Sequence, residues 1–337
     1  MVDPDKEKLL PSHILEIERS SRKDVCFKAY VIITMTFLWT GYTLTVRYTR
    51  STVKQDDLYA STTVVLLAEI IKFFITLFMF YRECTYDFKE YKSNISKYYF
   101  GAPKELAKMS VPSIAYALQN NLDFVALSNL DAGLYQVTTQ LKVVTTALFM
   151  MAFLGRHFSR TRWIAIFMLF AGVAAVQLNN VSKSSSRPHE NYFIGIAAVL
   201  STCITAGFAG VYFEKMLKDG GTTPFWIRNM QMYSCGVVSA SIACLTENDR
   251  LFDKGFFHGY DMKVWAIIGF LSIGGIYISL VMKHLDNLHK SFASAVSIIL
   301  VVLLSFMLFQ GVSIGPFFVL GTTIVVTAVL LYNSVPE

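Results

Sequence analysis

The polar and charged residues that interrupt the apolar stretches of this chain are its best candidates for chemistry. Residues 116–142 read YALQNNLDFVALSNLDAGLYQVTTQLK, and this segment begins and ends within long apolar runs. Polar groups in hydrocarbon are costly, so they usually face a bundle interior or a water-filled cavity. We therefore expect this segment to form one wall of a polar path through a membrane. Its polar residues include Gln119, Asn120, Asn121, Asp123, Gln136, Gln140 and Lys142.

Two lysines suggest an anion-binding site within this path. Lys142 lies near the middle of a predicted membrane helix, too deep to extend easily to the surface. It either forms a structural ion pair with a carboxylate such as Glu69 or, as we favour, binds an anionic substrate such as a phosphate. Lys290 is expected to meet the phosphate from the opposite side, so that the two lysines clamp a diphosphate. The nearby His284 and His289 are expected to lie in a solvated turn.

Glu69 and Lys72 are spaced so that both fall on one face of a helix. They either neutralise each other or serve the site, and the two roles are compatible. Further candidates carry amides that suit base edges and sugar hydroxyls, or tyrosine rings that suit stacking and hydrogen bonding. For any one of them, hydrogen bonding between helices is the alternative. These candidates are Gln119, Asn120, Asn121, Tyr116, Tyr135 and Tyr233.

The composition indicates which elements hold these residues in place. Hydrophobic residues make up 54% of the 337 positions and charged residues only 16%, which is below the roughly 25% of a soluble domain. A membrane helix needs about 20 mostly apolar residues. The sequence predicts ten such helices, at about 27–46, 59–81, 111–127, 132–154, 163–178, 192–213, 225–245, 264–282, 291–310 and 315–332.

A serine-rich linker at 179–191 divides these helices into a first half at about 27–178 and a second half at about 192–332. Lys and Arg are concentrated in the connections on the side of the N-terminus, so both termini are expected in the cytosol. Five helices per half then place the second half upside down, as in transporters built from inverted repeats. Residues 1–26 are expected to form a disordered cytosolic tail and 333–337 a short cytosolic C-terminus.

Other motifs argue against catalysis. The chain has no P-loop, HExxH, GxSxG or dinucleotide-binding glycine motif, and its five cysteines show no metal-site spacing. We therefore expect no catalytic residues, no metal and no cofactor. Four glycines are predicted to let helices approach closely. They are Gly207, Gly210, Gly274 and Gly275.

Several blocks of sequence resemble the nucleotide-sugar transporters of the Golgi, in the group for UDP-galactose, UDP-N-acetylglucosamine and CMP-sialic acid. The blocks are LQNNLDFVALSNLDAGLYQVTTQLK, GFAGVYFEKMLK, WIRNMQMY, GFFHGY and GGIYISLVMKHLDNLHKSF. The group belongs to the drug/metabolite transporter superfamily. The resemblance implies ten helices in two inverted five-helix repeats. It also implies exchange of a cytosolic nucleotide sugar for a lumenal nucleoside monophosphate by alternating access.

The resemblance also implies roles for individual residues. Lys142 and Lys290 match phosphate-contacting lysines of the family. Eight further positions match residues that line its nucleotide and sugar pocket: Tyr116, Gln119, Asn120, Asn121, Tyr135, Asn229, Tyr233 and Ser279. LQNNL and VVTTALF resemble the UDP-sugar members, whereas the QMY that ends at Tyr233 resembles the CMP-sialic acid member.

The leading hypothesis is therefore an antiporter of the Golgi membrane, with the endoplasmic reticulum as the alternative location. It would exchange UDP-N-acetylglucosamine, UDP-galactose or both for UMP. The alternatives are a CMP-sialic acid/CMP antiporter and, more remotely, a membrane-embedded transferase or a scaffold that transports nothing. The expected partners are these nucleotides and the lipid bilayer, without nucleic acid. A homo-oligomer or an association with glycosyltransferases is compatible with the resemblance.

Overall fold

The computed structural model of the chain describes residues 12–53, 57–130, 135, 138–178, 191–218, 221–246, 253–308 and 315–334, and regular structure there is helical. The first helices are α1 (Ser12–Thr52), α2 (Ser61–Glu83), α3 (Phe88–Ile95), α4 (Pro103–Asn129), α5 (Lys142–Leu154) and α6 (Arg160–Leu178). They are followed by α7 (Tyr192–Lys218), α8 (Phe225–Thr246), α9 (Met262–His284), α10 (Asn287–Leu308) and α11 (Pro316–Ser334). A π-helical turn, Ser96–Phe100, follows α3, and a 3-10 turn, Thr139–Leu141, precedes α5.

Several of these helices are built to cross a membrane. Six of them, α1, α2, α7, α9, α10 and α11, contain a segment long and apolar enough to span a bilayer. Their outer faces carry large apolar side chains, such as Phe74, Phe78 and Leu330, each more than half exposed. Such faces are stable against lipid rather than water. The prediction of an all-α protein with several membrane-spanning helices is confirmed.

Side-chain and backbone chemistry sets several helix ends. The Asp87 carboxylate accepts a hydrogen bond from the backbone N–H of Lys89 at the start of α3. The Asp261 carboxylate accepts one from the N–H of Val264 at the start of α9, at 2.9 Å. Such caps satisfy N–H groups that have no partner within the helix. Gly155 ends α5 with a φ of 61°, a left-handed conformation that suits glycine.

Helices of the segment before the 179–191 linker pack mainly on helices of the segment after it. The most extensive contacts join α6 with α11, α4 with α7, α2 with α8 and α1 with α9. Further contacts join α5 to α7, α1 to α10, α4 to α8 and α2 to α9. The two segments therefore interleave instead of forming two separate bundles.

The largest apolar core lies where α5, α6, α10 and α11 meet. Met150, Leu169 and Val325 are completely buried there. The helices α6 and α11 approach so closely that a Cβ atom on Gly321 would lie 2.6 Å from the backbone oxygen of Gly172. Small residues at such a crossing let two helix backbones touch, which is typical of helix packing in membranes.

The structure corrects some sequence predictions. The helix α1 begins at Ser12, inside the segment predicted to be a disordered tail. Lys142 is not in the middle of a regular helix but is the first residue of α5, directly after a 3-10 turn. Among the described residues, no atom of a neighbouring helix lies within 4 Å of a Cβ added to Gly274, so the packing role predicted for this glycine is wrong.

The other three glycines do contact neighbouring helices. A Cβ atom on Gly207 would meet the backbone of Thr145, and one on Gly275 would meet the side chain of Lys72. The position of Gly210 brings α7 against the first residue of α10. The packing predicted for these three positions is confirmed.

Candidate functional site

A cavity of about 290 Å³ lies among α1, α4, α5, α6, α7, α9 and α10. Apolar residues such as Val173 and Ile298 line part of this cavity. Among these, polar side chains are concentrated on α4, α5 and α10 and in the turn before α5. They are Gln119, Gln140, Lys142, Thr146, Asn287, Lys290, Ser291 and Ser294. An enclosed, mostly apolar space with a few convergent polar groups is the usual form of a small-molecule site.

Two lysines and two glutamines give this cavity its chemical character. Lys142 is brought to the wall by the start of α5, and Lys290 by the first turn of α10. Gln119 of α4 lines the same space, and its Oε1 atom is buried without a hydrogen-bond partner among the described residues. Gln140, in the turn before Lys142, adds a second amide. Two cations with adjacent amides suit an anion that also carries polar groups.

A second polar cluster lies between α2, α8 and α9. Lys72 Nζ is 2.6 Å from Glu69 Oε1, and the same ammonium lies 4.7 Å from the centre of the Tyr233 ring. The Tyr233 hydroxyl is 3.0 Å from Ser279 Oγ and donates a 3.2 Å hydrogen bond to the Gly275 carbonyl. Charge pairing and hydrogen bonding thus stabilise these groups within the bundle.

Glycines make room for the ion pair of this second cluster. A Cβ atom on Gly236 would lie 2.5 Å from Glu69 Oε2, and one on Gly275 would lie 2.7 Å from Lys72 Cδ. The pair therefore rests directly on the backbones of α8 and α9. None of Glu69, Lys72, Tyr233 and Ser279 is among the residues that line the cavity, although Ser279 is next to the cavity residue Ile278 in the sequence of α9.

The remaining predicted residues are found in other places. Asn229 is buried, and its Nδ2 atom donates to the Phe225 carbonyl at 2.9 Å. Tyr135 packs on an apolar cluster with Leu130 and Val199. The side chains of Tyr116, Asn120 and Asn121 lie outside the described residues. The structure thus places Gln119, Lys142 and Lys290 in one cavity, and Glu69, Lys72, Tyr233 and Ser279 in a second cluster.

An ionic network that the sequence did not reveal lies at the start of α10. Arg156, in the turn after α5, is 2.9 Å from Asp286 and 3.6 Å from Glu214. Lys218 is 2.7 Å from Glu214 and also donates to the Leu285 carbonyl. The carboxylate of Glu214 is completely buried, so such partners are needed to stabilise its charge.

The same carboxylates anchor the first turn of α10. Glu214 Oε2 accepts a 2.8 Å hydrogen bond from the backbone N–H of Asn287. Asp286 Oδ1 accepts one of 2.7 Å from the N–H of His289, and it is 2.8 Å from His289 Nδ1. Asp286 itself is buried and its carboxylate caps this helix, whereas His284 and His289, which were predicted to be solvated, are partly exposed. The network thereby holds the turn that presents Lys290.

The ionisation of Asp286 reflects these contacts. Burial raises the pKa of its carboxyl, but the hydrogen bonds from His289 and the positive charges of His289 and Arg156 outweigh burial. The pKa of Asp286 is consequently held at about 2. The carboxylate thus stays charged throughout the physiological pH range.

The chemistry of these groups favours binding over catalysis. Within the described part of the chain, no group of three or more His, Cys, Asp or Glu side chains is arranged to hold a metal ion. The cavity presents ammonium, amide and hydroxyl groups, which bind an anionic ligand with several hydrogen-bonding atoms. Its position among apolar helices gives such a ligand a place inside a bilayer.

Comparison with known proteins agrees with this chemistry. UDP-galactose translocator 1 of Caenorhabditis elegans is 66% identical over 99% of this chain and 97% of its own length. The human UDP-N-acetylglucosamine transporter is 37% identical over 90% of this chain and 94% of its own. A crystal structure that is 13% identical aligns with a TM-score of 0.64 over 91% of this chain and 96% of that chain, a likeness of fold alone.

The family model for nucleotide-sugar transporters matches residues 23–333, which include both lysines of the cavity and the whole of α2 to α10. That family and the relatives named above are transporters and not enzymes. The chain therefore belongs to the nucleotide-sugar transporter family.

Proposed function

We propose that this protein exchanges UDP-galactose for UMP across the Golgi membrane, with UDP-N-acetylglucosamine as a second candidate substrate. The observation that carries the proposal is that Lys142 and Lys290 line one cavity together with the amide of Gln119. Two cations suit the diphosphate of a nucleotide sugar, and the amides can form hydrogen bonds with the base and sugars of the same ligand. The choice of galactose rests on the relative at 66% identity, which is named for UDP-galactose. Relatives named for UDP-N-acetylglucosamine are less similar, at 37%.

The proposed roles of the side chains follow from their chemistry. Lys142 and Lys290 bind the diphosphate, since a lysine ammonium donates up to three hydrogen bonds and carries a full charge. The amides and tyrosines bind the base and the sugars, and the Glu69–Lys72 pair borders them from α2. The residues in the second role are Tyr116, Gln119, Asn120, Asn121, Tyr135, Asn229, Tyr233 and Ser279.

The proposed architecture is a set of ten membrane helices in two inverted repeats, with both termini in the cytosol. The order of helix packing supports it. If α1, α2, α4, α5 and α6 correspond in order to α7, α8, α9, α10 and α11, each main contact has a counterpart. The contact of α1 with α9 corresponds to that of α7 with α4, and the contact of α5 with α7 to that of α10 with α1. In transporters with such symmetry the substrate binds between the repeats and is moved by alternating access, and we propose the same arrangement here.

The experiment is uptake of labelled UDP-galactose by proteoliposomes that contain the purified protein. With UMP inside the proteoliposomes, we expect the wild type to accumulate label, and Lys142→Met to reduce uptake about 10- to 100-fold, because one charge-assisted contact with phosphate is lost. Lys108→Met is the matched control. Lys108 is an exposed lysine on α4 that pairs with Glu105 outside the cavity, so its loss should leave uptake unchanged. Normal uptake by a folded Lys142→Met protein would refute the proposed role of this residue.

A further inference from the structure

Asn287, the first residue of α10, has an amide that the contacts described so far do not explain. Only 1% of the residue is exposed, and it lines the cavity that contains Lys142 and Lys290. Its Oδ1 atom is buried and has no hydrogen-bond partner among the described residues. Buried polar atoms almost always have a partner, so an unpaired acceptor in a cavity wall points to a ligand that supplies the donor.

The surroundings hold this amide in a fixed position. Glu214 accepts the backbone N–H of Asn287 at 2.8 Å, which fixes the start of α10 against α7. Gly210 of α7 makes room for the side chain, because a Cβ atom at that position would overlap the Asn287 amide. Asn287 and Lys290 are three residues apart, so they lie on the same face of α10. The amide therefore sits one turn from the ammonium in the cavity wall.

We propose that Asn287 is a further substrate-binding residue, whose Oδ1 atom accepts a hydrogen bond from a sugar hydroxyl of the nucleotide sugar. This inference rests on the proposed function, in which the two lysines bind the diphosphate. Ionised phosphate oxygens only accept hydrogen bonds, so they cannot satisfy an amide oxygen. The donors that flank a diphosphate in a nucleotide sugar are the hydroxyls of the pentose on one side and of the hexose on the other.

The test measures the affinity of the purified full-length protein for three ligands. They are UDP-galactose, UDP and 2′,3′-dideoxyuridine diphosphate, which lacks both pentose hydroxyls. Asn287→Ala should lower the affinity for UDP-galactose about tenfold, which is the usual effect of one lost hydrogen bond in a buried site. If the partner is a hexose hydroxyl, UDP binds both proteins equally. If the partner is a pentose hydroxyl, Asn287→Ala also lowers the affinity for UDP but leaves the affinity for the dideoxy compound unchanged.

Two results would overturn the inference: equal binding of UDP-galactose to both proteins, or an equal loss of affinity for all three ligands. If the wild type itself binds no nucleotide, the proposed function fails, and this inference fails with it. Gly210→Ala provides an independent variant, since it displaces the amide without removing it and should give the same ligand-selective pattern. Asn94→Ala, at an amide on α3 whose Nδ2 faces Cys84, is the control and should leave all three affinities unchanged.

Discussion

At the scale of single residues, close pairing stabilises charged side chains that lie partly buried within the helix bundle. Glu69 and Lys72 are 2.6 Å apart, with side chains only 19% and 12% exposed. Lys108 and Glu105 have the same spacing and the same 2.6 Å distance, but their side chains are 52% and 28% exposed. The two pairs share their geometry but differ in surroundings, since Glu105 is more exposed and also lies 3.3 Å from Arg228.

We expect Lys72→Met to destabilise the protein by about 1.5–3 kcal/mol, because it removes a charged hydrogen bond from the half-buried Glu69 carboxylate. Lys108→Met should cost less than about 1 kcal/mol, since Glu105 is partly solvated and keeps its 3.3 Å contact with Arg228. The melting temperature in detergent measures both. The double variant Glu69→Gln/Lys72→Met should melt above Lys72→Met, because no unpaired charge remains. Equal effects of the two lysine substitutions would contradict this account.

The low pKa of Asp286 leads to a prediction about how stability depends on pH. Arg156→Gln removes a charged hydrogen bond and should destabilise the protein by about 1.5–3 kcal/mol. The native pKa of about 2 lies below the ordinary 3.8, so the stabilisation by this carboxylate is complete above pH 3.8. It is lost only as the pH falls from there through about 2. The loss of melting temperature caused by Arg156→Gln should thus be present at pH 5 as well as at pH 8, although Glu214 and His289 in the same network can change its size. A loss present at pH 8 but absent at pH 5 would contradict a charged Asp286 at pH 5.

Some of these residues were predictable and others were not. Lys142, Glu69 and Lys72 were found because a charge within an apolar run stands out in a sequence. Glu214 and Arg156 were missed because each lies at a helix end, where a charge is common. Asp286 lies 130 positions from Arg156, and nothing local indicates that they meet. Asn287 was missed for the same reason, since only the fold brings it into the wall of the cavity.

At the scale of helices, close approach depends on positions without a side chain. We expect Gly321→Ala to destabilise the protein by about 1–3 kcal/mol, because the new methyl group would overlap the Gly172 carbonyl across the α6–α11 crossing. Gly269→Ala is the matched control. In the part of the chain that the structure describes, no atom of a neighbouring helix lies within 4 Å of its added Cβ, so the better helix propensity of alanine should raise stability by up to about 1 kcal/mol. Melting temperatures measure both changes, and a stabilising Gly321→Ala would contradict the described crossing.

The apolar periods of the sequence located the helices well, but not their ends. The apolar run that begins near Phe27 predicted the span within α1, and the helix nevertheless starts at Ser12. Polar residues continue a helix when nothing stops it, and no Pro or Gly lies between Ser12 and Phe27. The 3-10 turn before Lys142 was equally invisible, because Thr139–Leu141 carries no residue that requires it. These three residues decide where Lys142 enters the cavity.

At the scale of the whole molecule, the packing of one segment on the other places the cavity between them. Gln119 and Lys142 come from the first segment, and Asn287 and Lys290 from the second. Relative movement of the segments would therefore change the shape of the cavity. The number of helices and the 179–191 linker indicated two segments. Their interleaved order could not be predicted, because it depends on contacts between residues far apart in the chain.

The central claim is that a nucleotide sugar enters only in exchange for a nucleoside monophosphate. It is tested most directly by the uptake of labelled UDP-galactose into proteoliposomes preloaded with UMP, with CMP or with buffer alone. We expect UMP to accelerate uptake strongly over buffer, and CMP to have little effect. Acceleration by CMP and transport of CMP-sialic acid would move the substrate assignment to the CMP-sugars. Equal uptake with all three interiors would contradict exchange, and with it the account of the two-lysine cavity as an alternating-access site.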